Sequence, residues 1–259
     1  LGIKNRFYGS IGDDEFGRMI LEQIQTNKID AYVSTQKTST SFVKINRTVS
    51  SPVPIFYRKA DKLIHLTDRL ISDVSHSKIL HFTYWPLSVE PGKTTILKLI
   101  DEAKANNTLI CFDPNYHPLL DDDQLNGLKQ IRDIIDKVDI IKPSLDDSER
   151  IFDKQAIETY LDIYQELGSK LTIMTLGKDG LIARYKNQTM HLPSLATEVI
   201  DSTGAGDAFW SGLYSGITRG KSIRDSLTLG LLCSAMNLQS VGADFPLPHY
   251  LELFDQLGR

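Results

Sequence analysis

The run Asp201-Ser202-Thr203-Gly204-Ala205-Gly206-Asp207-Ala208-Phe209 brings together residue types suited to chemistry on a phosphate. Its two glycines let the backbone turn and approach a ligand closely. Successive free N–H groups at a helix start, aided by the helix dipole, form an anion site. Asp207 runs against that logic, because its carboxylate repels the phosphate that the amides attract. A general base resolves the conflict. Asp207 takes a proton from an acceptor hydroxyl while neighbouring amides stabilise the transferring phosphoryl group. The bland alternative is a glycine-rich helix start with an acidic residue favoured by the dipole alone. Gly204, Ala208, Gly212 and Gly216 weigh against it. Spaced four apart, they form one small-residue stripe, and interior glycines cost about 1 kcal/mol each against alanine unless close helix packing compensates.

Other chemistries find less support. Pro91-Gly92-Lys93-Thr94 imitates the end of a P-loop, but that motif needs a glycine five residues before Gly92, and position 87 is Leu. His65, His76 and His81 lack carboxylates in a metal-like arrangement. Cys111 and Cys233 each lie in an apolar run without metal-ligand spacing, which reads as two buried thiols in a reducing, cytoplasmic compartment.

The elements that must position Asp207 follow from periodicity. Residues 4–9 read as a short strand ending in a glycine turn, with Asp13 or Asp14 capping a helix that carries Phe16, Ile20, Leu21 and Ile24. Residues 31–57 are rich in Ser, Thr, Val and aromatics, which suggests strands exposed on one face, with Pro52 and Pro54 at an edge or bend. From Lys78 onward, apolar runs at 78–82, 108–112, 138–141 and 171–175 alternate with helical stretches at 91–106, 123–137 and 144–167. That order implies a mainly parallel α/β sheet covered on both faces. The last third reads as helices at 205–219 and 223–240 and a terminal helix after Pro248. Ligands of such sheets bind beyond the carboxyl ends of the strands. The residues to search are therefore Asp113-Pro114-Asn115, Lys142-Pro143-Ser144, Thr175-Leu176-Gly177 and the loop before Ala205.

With 259 residues, 41% of them hydrophobic and 24% charged, the chain can bury a core. A net charge of −4 with interspersed signs supplies no basic stripe for nucleic acid. No apolar stretch reaches the length of a membrane span.

The segment 201–207 resembles the D-T-x-G-A-G-D signature of ribokinase-like, or PfkB-type, carbohydrate kinases, with Ser202 in the usual threonine position. Gly9-Ser10-Ile11-Gly12-Asp13-Asp14-Glu15-Phe16-Gly17 resembles the family's early glycine element, and Asp113-Pro114-Asn115 its D-P-N after a central strand. Thr175-Leu176-Gly177-Lys178-Asp179-Gly180 resembles its nucleotide loop and Gly242-Ala243 its late G-A turn. The resemblance implies a doubly wound sheet with a small β lid over the sugar, ATP as donor, Mg²⁺ as its companion, and a homodimer formed through the lid. It implies that Gly204, Ala205 and Gly206 form the anion hole and that Asp207 is the base. Thr175, Gly177, Gly180 and Gly242 would approach the nucleotide, and Arg58, Asp113, Asn115 and Asp207 the sugar. Asp201 and Thr203 would lie where some relatives bind a monovalent cation such as K⁺. The core would comprise residues 1–30 and 58–259, with 31–57 part of the lid.

Three departures qualify this reading. The family's N-x-x-E after the K-P turn is here Ser144-Leu145-Asp146-Asp147. S-x-x-D at a helix start is close to a capping box, and Asp147 would meet Mg²⁺ through water. The D-x-N-Y-R of fructokinases and 2-keto-3-deoxygluconate kinases becomes Asp113-Pro114-Asn115-Tyr116-His117, and histidine cannot make arginine's permanent bidentate clamp. The family's first strands are expected ahead of Leu1, in a segment of about 40–55 residues. Fructose or 2-keto-3-deoxygluconate is the expected acceptor. A nucleoside kinase of the same fold and a non-catalytic sugar- or nucleotide-binding relative both stay open, although the intact Asp207 argues against the latter.

Overall fold

A computed structural model describes residues 1–45, 54–121 and 123–255. Pro52, and with it the 46–53 part of the expected lid, lies outside the described residues. The strands are β1 (Phe7–Gly12), β2 (Ala31–Gln36), β3 (Phe42–Ile45), β4 (Pro54–Tyr57), β5 (Ile79–Thr83), β6 (Leu109–Asp113), β7 (Ile140–Ile141), β8 (Leu171–Thr175), β9 (Leu181–Tyr185) and β10 (Gln188–Leu192). The first helices are α1 (Glu15–Thr26), α2 (Asp68–Ser75), α3 (Tyr84–Leu87), α4 (Gly92–Ala105) and α5 (Gln124–Ile135). They are followed by α6 (Leu145–Phe152), α7 (Ile157–Glu166), α8 (Ala205–Ile217), α9 (Ile223–Asn237) and α10 (Tyr250–Asp255).

The chain forms two compact units, one of Asn5–Thr172 and one of Leu1–Lys4 with Ile173–Arg259. In the first, β5, β6, β7 and the start of β8 pair in parallel, with Cys111 opposite Ile140 and Ile140 opposite Leu171. The apolar runs form these strands because both faces are covered. Ile110, Cys111 and Phe112 are all buried, and Leu99, Ile100 and Ala103 of α4 are buried as that helix packs on β5 and β6. Two smaller sheets belong to the same unit: parallel β1–β2, and antiparallel β3–β4 with Phe42 opposite Tyr57. Asp14, not Asp13, caps α1, its carboxylate accepting from the N–H of Gly17.

The second unit contains the end of β8 and the antiparallel hairpin β9–β10, so the six-stranded sheet runs β10-β9-β8-β7-β6-β5. Helices α8 and α9 pack closely, as the small-residue stripe requires. A Cβ on Gly212 would stand 2.3 Å from the carbonyl oxygen of Leu229, so only hydrogen fits there. The glycine cost anticipated for this helix is offset by that approach.

Three expectations need correction. The strand read over 4–9 lies at Phe7–Gly12, and Gly9 continues it rather than ending it in a turn. The stretch 144–167 is two helices, broken where Asp153 takes φ of 59°. Buried Tyr160 pins the break, its hydroxyl donating to the Asp153 carbonyl (2.6 Å) and accepting from the Gln155 N–H (2.9 Å). The hairpin β9–β10 was not expected, because its turn, Lys186-Asn187, lacks glycine although both residues have positive φ.

Candidate active site

In the second unit the loop 201–207 is tied to the end of α9. Oδ1 of Asp201 accepts from the N–H (3.0 Å) and hydroxyl (2.8 Å) of Thr203, and Oδ2 accepts from the N–H of Gly242 (3.0 Å). The side-chain amide of Asn237, 1% exposed, donates to the Gly242 carbonyl at 3.4 Å. Gly204, at φ 81°, is the N-cap of α8, and a Cβ there would stand 2.6 Å from that of Ala243. Glycine is therefore demanded twice, by the left-handed backbone and by the approach of the 242–243 turn.

A glycine N-cap brings no side chain to satisfy the first amides of α8. Those amides have no intrahelical acceptor by construction. Ala205 donates back to the Ser202 carbonyl at 3.3 Å, whereas the N–H groups of Gly206 and Asp207 belong to the turn that an anion would occupy. Asp207 lies in that first turn and is exposed. The arrangement combines amide donors for a phosphate with an adjacent carboxylate that can accept a proton.

Also in this unit, Thr175 ends β8, and Gly177 and Gly180 flank a tight turn at φ 57° and 87°. The Leu176 N–H donates to the Gly180 carbonyl at 2.8 Å, closing the loop before β9.

In the first unit, Asp113 at the carboxyl end of β6 is 1% exposed and pairs with Lys142, just past β7, at 3.0 Å. Asp147 is buried in a reciprocal capping box with Ser144. Its Oδ2 accepts from the Ser144 N–H (2.9 Å) and hydroxyl (2.7 Å), while its own N–H donates to Ser144 Oγ (3.0 Å). Oδ1 accepts from the N–H of Tyr116 at 2.9 Å. Burial first, and then the neighbouring charge of Asp113, push the Asp147 carboxyl above the usual carboxylate range. Asn115 adopts φ of 40°, and the ring of His117 lies 5.4 Å from that of Phe56 on β4.

Arg58 is a buried strut, its side chain 7% exposed. Its guanidinium pairs with Asp61 (2.7 Å), donates to Ser88 Oγ (2.7 Å) and to the Trp85 carbonyl (2.9 Å), and lies over the Trp85 ring. This is neither a solvated charge nor an open anion clamp.

The structure thus joins Asp201, Thr203 and Gly242 in one hydrogen-bonded cluster, with Gly204 closely approached by Ala243, while Asp113 pairs with Lys142 and Asp147 bonds to Ser144 and Tyr116; Arg58 belongs to another cluster, with Asp61 and Ser88. Lys142 fell within a strand end marked for search, although its pairing with Asp113 was not foreseen; sequence reasoning did not single out Arg150 or Asn237. Lys142 carried a signal, as a charged residue at the end of an apolar strand. Asn237 and Arg150 carried none, since a polar residue in a helix has its ordinary place on the surface. Gly92 opens α4, with Lys93 in its first turn, and no strand directly precedes it, which removes the P-loop reading. Among the described residues no group of three or more His, Cys, Asp or Glu could hold a metal ion. No described helix is long and apolar enough to cross a membrane.

Parallel strands alternating with helices, and a glycine loop opening a helix with an aspartate in its first turn, define a phosphotransferase of the ribokinase-like α/β class. Residues 1–250 match the family described as pfkB family carbohydrate kinase. The chain is 46% identical over 249 residues to the ATP-dependent 6-phosphofructokinase of Thermoanaerobacterium thermosaccharolyticum, covering 96% of this chain and 77% of that one. It is 30% identical over 265 residues to the probable fructokinase-4 of Arabidopsis thaliana, covering 96% and 80%. The crystal structure of Vibrio cholerae O395 fructokinase in fructose, ADP and calcium ion bound form shares the fold, with TM-score 0.86, 23% identity, and coverage of 98% of this chain and 86% of that one. The chain belongs to the pfkB family of carbohydrate kinases, enzymes that transfer phosphate to a sugar hydroxyl.

Proposed function

We propose that this chain transfers the γ-phosphate of MgATP to a hydroxyl of a fructose-type sugar, with fructose 6-phosphate ahead of free fructose as acceptor. The order rests on one observation, the 46% identity over 96% of the chain to a relative named ATP-dependent 6-phosphofructokinase. Asp207 is the general base, and the first amides of α8, following Gly204, Ala205 and Gly206, stabilise the transferring group. Thr175, Gly177, Gly180 and Gly242 serve the nucleotide. In the first unit, 113–117 is the sugar-side loop, and the strands within 31–57 belong to a lid, with 1–30 and 58–259 as core.

Magnesium enters with ATP as part of that substrate, held mainly by phosphate oxygens and water. Asp201 and Thr203 carry oxygen donors of the kind a monovalent cation such as K⁺ takes, and such an ion would share the Asp201 carboxylate with its hydrogen bonds from Thr203 and Gly242. An ion there would stiffen the loop, and no proton or phosphoryl step needs it. Replacing K⁺ by choline tests this, with lower activity expected.

Buried Cys111 and Cys233 support a cytoplasmic location. Exposed Phe16, Met19 and Ile20 on α1, with the Phe42–Tyr57 stack at 4.5 Å, support a homodimer through the lid, checked by sedimentation.

The decisive experiment is a coupled ADP-release screen with fructose 6-phosphate, fructose, 2-keto-3-deoxygluconate and nucleosides. The highest kcat/KM is expected on fructose 6-phosphate. Turnover of nucleosides alone would overturn the proposal in favour of a nucleoside kinase, and ATP binding without turnover of any acceptor in favour of a non-catalytic relative.

A further inference from the structure

The Tyr116 peptide is held at both ends by one helix. Its N–H donates to Oδ1 of Asp147 at 2.9 Å, and its carbonyl accepts from the guanidinium of Arg150 at 3.3 Å. Both side chains come from α6, and Asp147 and Tyr116 are 31 positions apart in the chain. The grip falls directly after Asn115, whose φ of 40° is a conformation that non-glycine residues seldom keep without support. The Tyr116 ring is 1% exposed and packs edge-on to Tyr84 at 5.4 Å, and His117 continues to Phe56 of β4. The whole turn after β6 is therefore anchored from behind, with α6 supplying the polar anchors.

The same bonds bear on the metal. A carboxylate that meets Mg²⁺ through water needs an oxygen open to that water. Oδ2 of Asp147 already takes two donors from Ser144, Oδ1 takes the Tyr116 N–H, and the residue is 4% exposed. These residues do not fit a magnesium site.

We infer that Asp147 is a positioning residue which, with Arg150, holds the 115–117 turn in its left-handed form, and that it is not a ligand of the nucleotide's magnesium, directly or through water. The catalytic consequence rests on the proposed reading that 113–117 is the sugar-side loop; the anchoring itself does not.

The test compares Asp147→Ala, Asp147→Asn, Asp147→Glu and Arg150→Ala with the wild-type enzyme. Four quantities are read: KM for fructose 6-phosphate and for fructose, KM for MgATP, the Mg²⁺ concentration giving half-maximal rate, and amide hydrogen exchange across 113–117. For Asp147→Ala and Arg150→Ala the sugar KM is expected to rise about tenfold or more, with MgATP KM and the Mg²⁺ midpoint within about twofold. Asp147→Asn keeps an acceptor for Tyr116 and is expected to fall between wild type and Ala. Asp147→Glu can still close a capping box with Ser144, but its longer side chain shifts the oxygen that accepts from Tyr116, and its sugar KM is expected between those of wild type and Ala with the Mg²⁺ midpoint within about twofold. A raised Mg²⁺ midpoint with unchanged sugar KM in any of these variants overturns the inference. If the wild-type enzyme turns over neither sugar, the proposed acceptor has failed, and hydrogen exchange decides the anchoring alone. Faster exchange at 115–117 in Asp147→Asn and Arg150→Ala sustains it, and unchanged exchange ends it.

Discussion

The backbone N–H of Gly242 donates to Oδ2 of Asp201 at 3.0 Å although 41 positions separate them. With the other oxygen of Asp201 on Thr203, this bond closes the loop ahead of α8 against the turn that follows α9. The amides at the start of α8 are thus set in place before any ligand arrives. Preorganised donors of this kind need no rearrangement as charge develops in the transition state.

Asp207→Asn is expected to lower kcat by about 10²–10⁴, the usual worth of a positioned general base. The Kd for ATP should stay equal or tighten slightly, since a negative charge beside the phosphate site is gone. If Asp207 served only the helix dipole, the substitution would cost about 0.3–1 kcal/mol of stability and spare turnover. Measuring kcat, Kd and Tm on one preparation separates the two.

Gly204→Ala must place a Cβ 2.6 Å from that of Ala243 on a residue with φ of 81°. The left-handed backbone alone costs about 1–2 kcal/mol for a residue with a Cβ. A lower Tm is expected together with weaker nucleotide binding, because the 242–243 turn and the loop must move apart. An unchanged Kd for ATP in a destabilised protein would show that the loop serves stability alone.

Arg58→Ala removes hydrogen bonds to Asp61, Ser88 and the Trp85 carbonyl. It leaves Asp61 with the hydroxyl of Ser41. Bonds to a charged group are worth about 1.5–3 kcal/mol when lost, and denaturant unfolding should show a loss of that order. Because Arg58 anchors rather than clamps, the KM values for fructose and fructose 6-phosphate should rise together. A selective rise for the phosphorylated sugar would make Arg58 a substrate ligand.

Asp14 accepts from the Thr40 hydroxyl (2.6 Å), the Thr40 N–H (2.7 Å) and the Gly17 N–H (2.9 Å). The Thr40 hydroxyl, followed by the two amides, holds its carboxyl below the usual range. A carboxylate with a depressed folded pKa contributes stability that is complete above its unfolded pKa near 4 and is lost as pH falls through the folded value. Asp14→Ala should therefore lower Tm at pH 7, and the gap from wild type should narrow below about pH 4. A gap that stays constant across that range would remove the linkage.

Much of the fold and part of the site were legible in the linear order of residues. Apolar runs at 108–112 and 171–175 alternating with periodic segments sufficed for a parallel sheet, because strands buried on both faces must be apolar throughout. The segment 201–207 declared its chemistry locally, since glycines that admit a phosphate and the aspartate beside it are neighbours in the chain. The stripe Gly204, Ala208, Gly212 and Gly216 foretold a close helix partner, and the capping box at Ser144 and Asp147 needed only its three-residue spacing.

What the sequence could not express was where a polar side chain turns when two partners compete for it. Asp113 and Arg58 each read as reaching for a sugar, and the fold supplies Lys142 to one and Asp61, Ser88 and Trp85 to the other. Asp147 read as facing both its helix cap and a metal, and the arrival of Tyr116 from 31 positions away takes up its other oxygen. Hydrogen bonds reach only about 3 Å, so partners distant in sequence meet only after the strands have ordered. Residue type and spacing therefore determined the family and named Asp207 as the candidate base, while tertiary packing decided that charged groups such as Arg58 and Asp147 became struts and caps.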